Sequence, residues 1–330
     1  MTLRPDDESA RLYRRYVRLA VLSAFLICLP AYAFSLRLSA IGTCHPGGYS
    51  DDHYLGTCFV DTYGDYDTGA LYHDLEGGAL DAARNADVLL LGASTALFGF
   101  STDAVDAFFR AQGLTYYVLA FNGEGADFFV EFHKKHRLSP KAVIINNDAF
   151  FKAGLGPHGT EVVAGDQTFI LELYMKRISQ LLHQATCARA PAGWWKICGR
   201  KGSLYRSRST GAVLNDKNLA LSGDLIDYDT AGDYGDSGRW QFSDAAFENF
   251  RSSIGLPLKC IVTTLVPSTI ISFDAAQRKA DKLGVPFVMA KLDDVYTQGH
   301  LERDSAERWS AIFVERVKPY LDNCLEQTVE

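Results

Sequence analysis

Three short apolar runs constrain the fold of this chain more than any other feature. Asp87-Val88-Leu89-Leu90-Leu91 closes in Gly92, Tyr116–Phe121 (YYVLAF) runs into Asn122-Gly123, and Lys141–Asn146 (KAVIIN) runs into Asn147-Asp148. Uninterrupted apolar runs of this length read as strands buried on both faces. Between them, residues 102–112 (TDAVDAFFRAQ) and 126–137 (ADFFVEFHKKHR) have helical spacing, the first behind a Thr or Ser cap. Strand, helix, strand, helix, strand predicts right-handed βαβ units and a parallel sheet. The pattern returns late in the chain. Lys259–Leu265 (KCIVTTL) and Val285–Ala290 (VPFVMA) read as strands, Phe273–Leu283 and about 304–321 as helices, and Gly284 with Pro286 punctuates a junction. The expected architecture is α/β, a three-layer parallel sheet flanked by helices. Residues 85–330 form this domain, with a large insertion at about 152–257, and residues 39–84 form an irregular, Gly-, Asp- and Tyr-rich leader.

Ahead of the leader, Leu19–Leu36 is free of charge and follows Arg11, Arg14, Arg15 and Arg18. A run of that length just spans a hydrocarbon core, and the Arg cluster places its own end in the cytoplasm. The reading is a basic cytoplasmic tail (1–18) and a transmembrane signal-anchor (19–38), with the main domain exported. A cleaved signal peptide is the rival reading, because Ala31-Tyr32-Ala33 resembles a cleavage site. Charge agrees with export. The whole chain carries 33 basic and 40 acidic residues, net −7, and six Arg lie within residues 1–38. The acidic remainder argues against nucleic acid as a partner. The hydrophobic fraction of 47% with 22% charged residues excludes a disordered chain.

Cysteine usage points to an oxidising compartment. Cys44 and Cys58, and Cys187 and Cys198, are each close in sequence within loop-like regions, so two short disulfides are expected. No CxxC occurs and no zinc or other metal site is expected. His133 and His136, beside Lys134 and Lys135, read as a solvated basic helix face.

Ligand sites in open parallel sheets form outside the carboxyl ends of the strands. Those ends present Gly92-Ala93-Ser94, Asn122-Gly123-Glu124-Gly125 and Asn147-Asp148, and after the last strand Asp293, Asp294 and Gly299-His300. A serine, glycine amides, an asparagine and a late histidine are the components of an acyl-transfer site. Ser94 is the candidate nucleophile and His300 its base. The Ser94 amide, an amide of Gly123 or Gly125 and the Asn147 side chain are candidate oxyanion donors.

The order of these blocks resembles the SGNH (GDSL-like) hydrolase superfamily. Leu90-Leu91-Gly92-Ala93-Ser94 resembles the family's first block, with Ala93 where Asp is common. Asn122–Gly125 is similar to the second, Ile145-Asn146-Asn147-Asp148 to GxND without its Gly, and His300-Leu301 to the segment after the family's DxxH acid. Thr297 stands where that acid belongs. Asp293 or Asp294 as a substitute, a Ser94–His300 dyad and a degenerate site are the three consequences left open. The resemblance implies an SGNH/flavodoxin-like fold and no cofactor. The anchor plus an exported domain is similar to the membrane-tethered SGNH-like proteins of bacterial polysaccharide O-acylation. That similarity implies an esterase or O-acyltransferase acting on ester groups, in the first place O-acetyl groups, of a cell-surface polysaccharide. It would sit on the bacterial inner membrane facing the periplasm, beside a membrane-bound O-acyltransferase. A glycan-binding scaffold without turnover is the alternative. Trp194 and Trp195, beside Lys196, Arg200 and Lys201, are candidate sugar-stacking residues, and Asp148 a candidate substrate contact.

Overall fold

The computed structural model describes residues 7–41, 44, 46–58, 63–189, 198, 202–215, 224–225, 242–268, 271–292, 296–297 and 300–326. Helix α1 (Asp7–Ile41) runs through Pro30, and within its segment Ser9–Leu38 an 18-residue window has a mean hydropathy of 2.1, with no residue of that window buried. By length and composition it is able to cross a membrane.

Residues 39–84, read from sequence as irregular, contain regular structure. Strands β1 (His53–Cys58) and β2 (Gly64–Asp65) are followed by helices α2 (Asp67–Tyr72) and α3 (Ala79–Arg84). The α/β rhythm then runs as expected through β3 (Val88–Gly92), α4 (Ser94–Phe100), α5 (Asp103–Gln112), β4 (Tyr116–Ala120), α6 (Ala126–His136) and β5 (Ala142–Asn146). Local chemistry sets the ends of α5, where Thr102 accepts a hydrogen bond from the Val105 amide and Gly113 takes the left-handed conformation. The interrupting segment holds α7 (Pro157–Ala164), α8 (Gln167–Cys187), β6 (Ser203–Ser207), β7 (Val213–Asn215), β8 (Asp224–Leu225) and α9 (Asp244–Ile254). The chain closes with β9 (Ile261–Thr264), α10 (Phe273–Leu283), β10 (Phe287–Val288), β11 (Tyr296–Thr297) and α11 (Arg303–Leu325).

Strands β4-β3-β5-β9-β10 form one parallel sheet in that spatial order. Numbered along the chain this is the 2-1-3-4-5 order of doubly wound sheets, whose switch point lies between the first and third strands. Here those strands are β3 and β5. Side chains alternate across the sheet, so each apolar run serves two cores. Val88, Leu90 and Ile144 pack against α4, α5 and α11, with Phe100, Phe109, Trp309 and Phe313. Leu89, Leu91, Val143 and Ile145 pack on the other face against α3, α6 and α9. Helix α9 thus belongs to this outer layer, although sequence reading placed it in the insertion.

The leader and the insertion form one substructure. Strand β1 pairs antiparallel with β6, which gives a second sheet in the order β2-β1-β6-β7. Ile41, Tyr54, Leu55, Tyr66, Leu173 and Tyr205 share its core. The junction with the parallel sheet is polar. Arg206, fully buried, pairs with Asp67 and donates to the carbonyls of Val118 and Ala120 on edge strand β4, while the Tyr54 hydroxyl donates to Asp67 over 2.6 Å. The edge of the main sheet is therefore covered rather than left open to another chain.

Both expected disulfides are present, Cys44–Cys58 and Cys187–Cys198. A third, Cys260–Cys324, ties the start of β9 to the end of α11 across 64 residues. The basic-face reading of His133 and His136 needs correction. His136 is buried with its ring on the Tyr72 carbonyl at 2.8 Å, because α6 packs that side against the leader, and His133 stacks on Phe129.

Candidate active site

Ser94 opens α4, directly after the extended Ala93 that follows β3. The turn is tight. A side chain at Gly92 would bring its Cβ to 2.3 Å from the Ala96 Cβ and 3.1 Å from that of Asn146. Glycine there lets α4 begin against the strand end and places Ser94 at the switch point.

His300 arrives from the other end of the chain. Leu301 beside it is buried in the core shared by α4, α5 and α11. The Glu307 carboxylate accepts hydrogen bonds from the amides of Asp103 and Ala104, at 2.9 and 3.2 Å, and so fastens α11 to the start of α5. Held in this way, His300 Nε2 lies 2.8 Å from Ser94 Oγ. One helical turn beyond Ser94, the Phe98 ring covers the imidazole, with centroids 4.7 Å apart. Burial disfavours the charged imidazolium and pushes the His300 pKa below its ordinary 6.5. A neutral imidazole against a serine hydroxyl is the arrangement that general-base activation requires.

Beside the pair lies a buried hydrogen-bond network that joins α4 to the end of β5. Thr95 donates to Asp148, and Asn146 donates to the Thr95 hydroxyl over 2.8 Å. The Asn146 side-chain oxygen Oδ1 in turn accepts from the Val266 amide at 2.8 Å. Burial raises the Asp148 pKa, with the Thr95 hydrogen bond opposing it. This changes the role given to Asp148 as a substrate contact. Its two carboxylate oxygens are engaged by Thr95 and the Ala149 amide, so it fastens the loop after β5 to α4.

Asn147 is also placed differently from the expectation. Its side-chain amide donates to the Ala276 carbonyl of α10 over 3.0 Å. The asparagine that reaches the Ser94 helix is Asn146, because consecutive residues of β5 face opposite sides of the sheet. Gly123 and Gly125 lie in the loop after β4, next to β3. The Gly123 carbonyl accepts from Lys152, and a Cβ on Gly125 would stand 2.4 Å from the Phe150 carbonyl oxygen. Glu124 between them is buried and accepts from the amides of Gly156 and Gly159, at the start of α7. Asp293, Asp294, Trp194 and Trp195 lie outside the described residues.

Sequence reasoning missed Thr95, Phe98 and Asn146. Phe98 had a usable signal, its position four residues after Ser94, but only if a helix is assigned there. Phe98 also borders a cleft of about 370 Å³. Its walls come from α5 (Asp103, Asp106), the leader (Asp52) and the β6–β7 turn (Ser209, Thr210). The leader and the insertion thus help to wall a recess that borders Phe98, the residue whose ring lies on His300.

Fold and site together define a class, a doubly wound α/β domain with a serine–histidine pair at its switch point. Compared with known proteins, the chain matches no family model and no curated protein sequence.

Proposed function

We propose that this protein is an exported, membrane-tethered serine esterase or O-acyltransferase of the SGNH-like kind, acting on O-acyl groups, in the first place O-acetyl groups, of a cell-surface polysaccharide. The observation that carries the reading is the 2.8 Å approach of Ser94 Oγ to His300 Nε2 at the switch point of a parallel sheet. In the reaction, Nε2 takes the Ser94 proton while Oγ bonds to the ester carbonyl carbon. The tetrahedral adduct then breaks its bond to the sugar oxygen, which receives the proton from His300 and departs. Water or a second sugar hydroxyl then gives its proton to His300 as it attacks the acyl-enzyme, and His300 passes that proton to Ser94 Oγ as the acyl–Oγ bond breaks. Backbone amides of Ser94 and of Gly123 or Gly125 are the oxyanion donors in this reading.

Tethering and export are supported by the apolar helix α1 and by three disulfides. The cleft beside Phe98 is where a sugar would lie. A membrane-bound O-acyltransferase is the partner proposed to supply the acyl group. The test is hydrolysis of p-nitrophenyl acetate by the detergent-solubilised chain. Loss of activity in Ser94→Ala is the expected result, and equal activity in both proteins would sink the role of Ser94. The alternative, a glycan-binding scaffold, draws on Thr297 standing where the family's acid belongs. It predicts no turnover by the wild type and binding of glycans that survives Ser94→Ala.

A further inference from the structure

Helix α8 is inside out. Its buried face is mostly polar, with Lys176, Ser179, Gln180 and His183 all covered. Gln180 donates to the Leu55 carbonyl at 2.8 Å, and Lys176 to the Asp65 carbonyl at 3.3 Å. The outward face is apolar. Leu171, Tyr174, Ile178, Leu181 and Leu182 are between 42% and 61% exposed. Their spacing of three and four residues sets them in one stripe along the helix. A helix packed on a water-soluble domain turns these faces the other way, since exposed apolar stripes of this extent mark an interaction surface.

We propose that this stripe of α8 lies in the interfacial layer of a lipid bilayer, next to the point where α1 leaves it. The proposal rests on reading α1 as a membrane span. Helix α8 packs against α1, and the contact belongs to the far end of α1. Phe34, Arg37 and Leu38 are half-buried and Ile41 is buried, whereas Leu12–Leu29 is exposed throughout. Ile41 shares a core with Leu173 of α8. The far end of the span therefore meets the domain at α8, the helix that carries the stripe. Polar residues occupy the opposite side of α8, which suits a helix lying on the membrane rather than crossing it. Tyr174 has the amphipathic ring favoured at headgroup level. Seated in this way, α8 holds the catalytic domain against the membrane surface.

The experiment uses the full chain with Cys28→Ser, reconstituted in nanodiscs of phosphatidylethanolamine and phosphatidylglycerol. Single nitroxide labels are placed through Ile178→Cys or Leu181→Cys, with Leu26→Cys as a reference in α1 and Glu248→Cys as a reference in water. The expected result is that labels at 178 and 181 relax with molecular oxygen and lose their response to a water-soluble nickel chelate. Full response to the chelate at 178 and 181, with Leu26 shielded, overturns the proposal and leaves the anchor intact. Shielding from both relaxants also overturns it, since another protein then covers the stripe. A chelate-accessible label at 26 removes the anchor itself, and the proposal with it.

Discussion

Ser94 and His300 are 206 residues apart in sequence, and their side chains meet at hydrogen-bond distance with the Phe98 ring closing over the imidazole. Two groups that act as one catalytic unit lose activity together. Ser94→Ala and His300→Ala are each expected to lower kcat/KM for p-nitrophenyl acetate about 10²–10⁴-fold. The double variant is expected to be no slower than the worse single variant. Multiplying losses in the double variant would show that the pair does not work as a unit.

The pH profile follows from burial of His300. In the proposed reaction only the neutral imidazole can accept the Ser94 proton, and burial holds the His300 pKa below 6.5. The kcat/KM of the wild type should therefore rise with pH along a limb centred below 6.5 and be flat at neutral pH. An orienting carboxylate, as proposed for Asp293 or Asp294, favours the imidazolium and moves that limb upward. A midpoint above 6.5 that falls in Asp293→Asn or Asp294→Asn would establish a triad rather than a dyad.

Thr95 joins Asp148 to Asn146 beside the site. Thr95→Val keeps the shape but strands two buried polar groups, at a cost of about 1–3 kcal/mol. Urea unfolding reads that cost. With the loop after β5 released from α4, kcat is expected to fall more than KM rises. Wild-type stability in Thr95→Val would mean that the network is not formed.

The Asp67–Arg206 pair locks the second sheet onto edge strand β4. Asp67→Ala leaves a buried guanidinium without its counter-charge, which costs about 3–5 kcal/mol. A double change, Asp67→Leu with Arg206→Met, is expected to recover most of that loss in a urea titration, because neither charge of the pair is then left buried without the other. A double variant as unstable as Asp67→Ala would place the importance of Arg206 in its bonds to the Val118 and Ala120 carbonyls instead.

The strands of the main sheet were legible because each is a local pattern. Val88–Leu91 or Val143–Ile145 can be read from a few neighbours, and so can the caps of α5 and α10, Thr102 and Ser272. The same locality explains the two short disulfides, Cys44–Cys58 and Cys187–Cys198. It also explains why Cys260–Cys324 was missed, since nothing near either cysteine names its partner. The antiparallel sheet was illegible for a related reason. Strands β1 and β6 pair across about 150 residues of sequence, and β1 (HYLGTC) has no apolar run to announce it.

Sequence alone determined the α/β class, the apolar N-terminal helix and the positions of Ser94 and His300 at strand ends, because periodicity and strand-end chemistry are written in consecutive residues. Tertiary structure decided which of these residues meet. It brought His300 to Ser94 through the packing of α11. It turned Asn146 rather than Asn147 toward α4, since adjacent residues of a strand face opposite cores. It also turned the apolar stripe of α8 outward, a choice that depends on what packs beneath the helix and is invisible in the helix's own sequence.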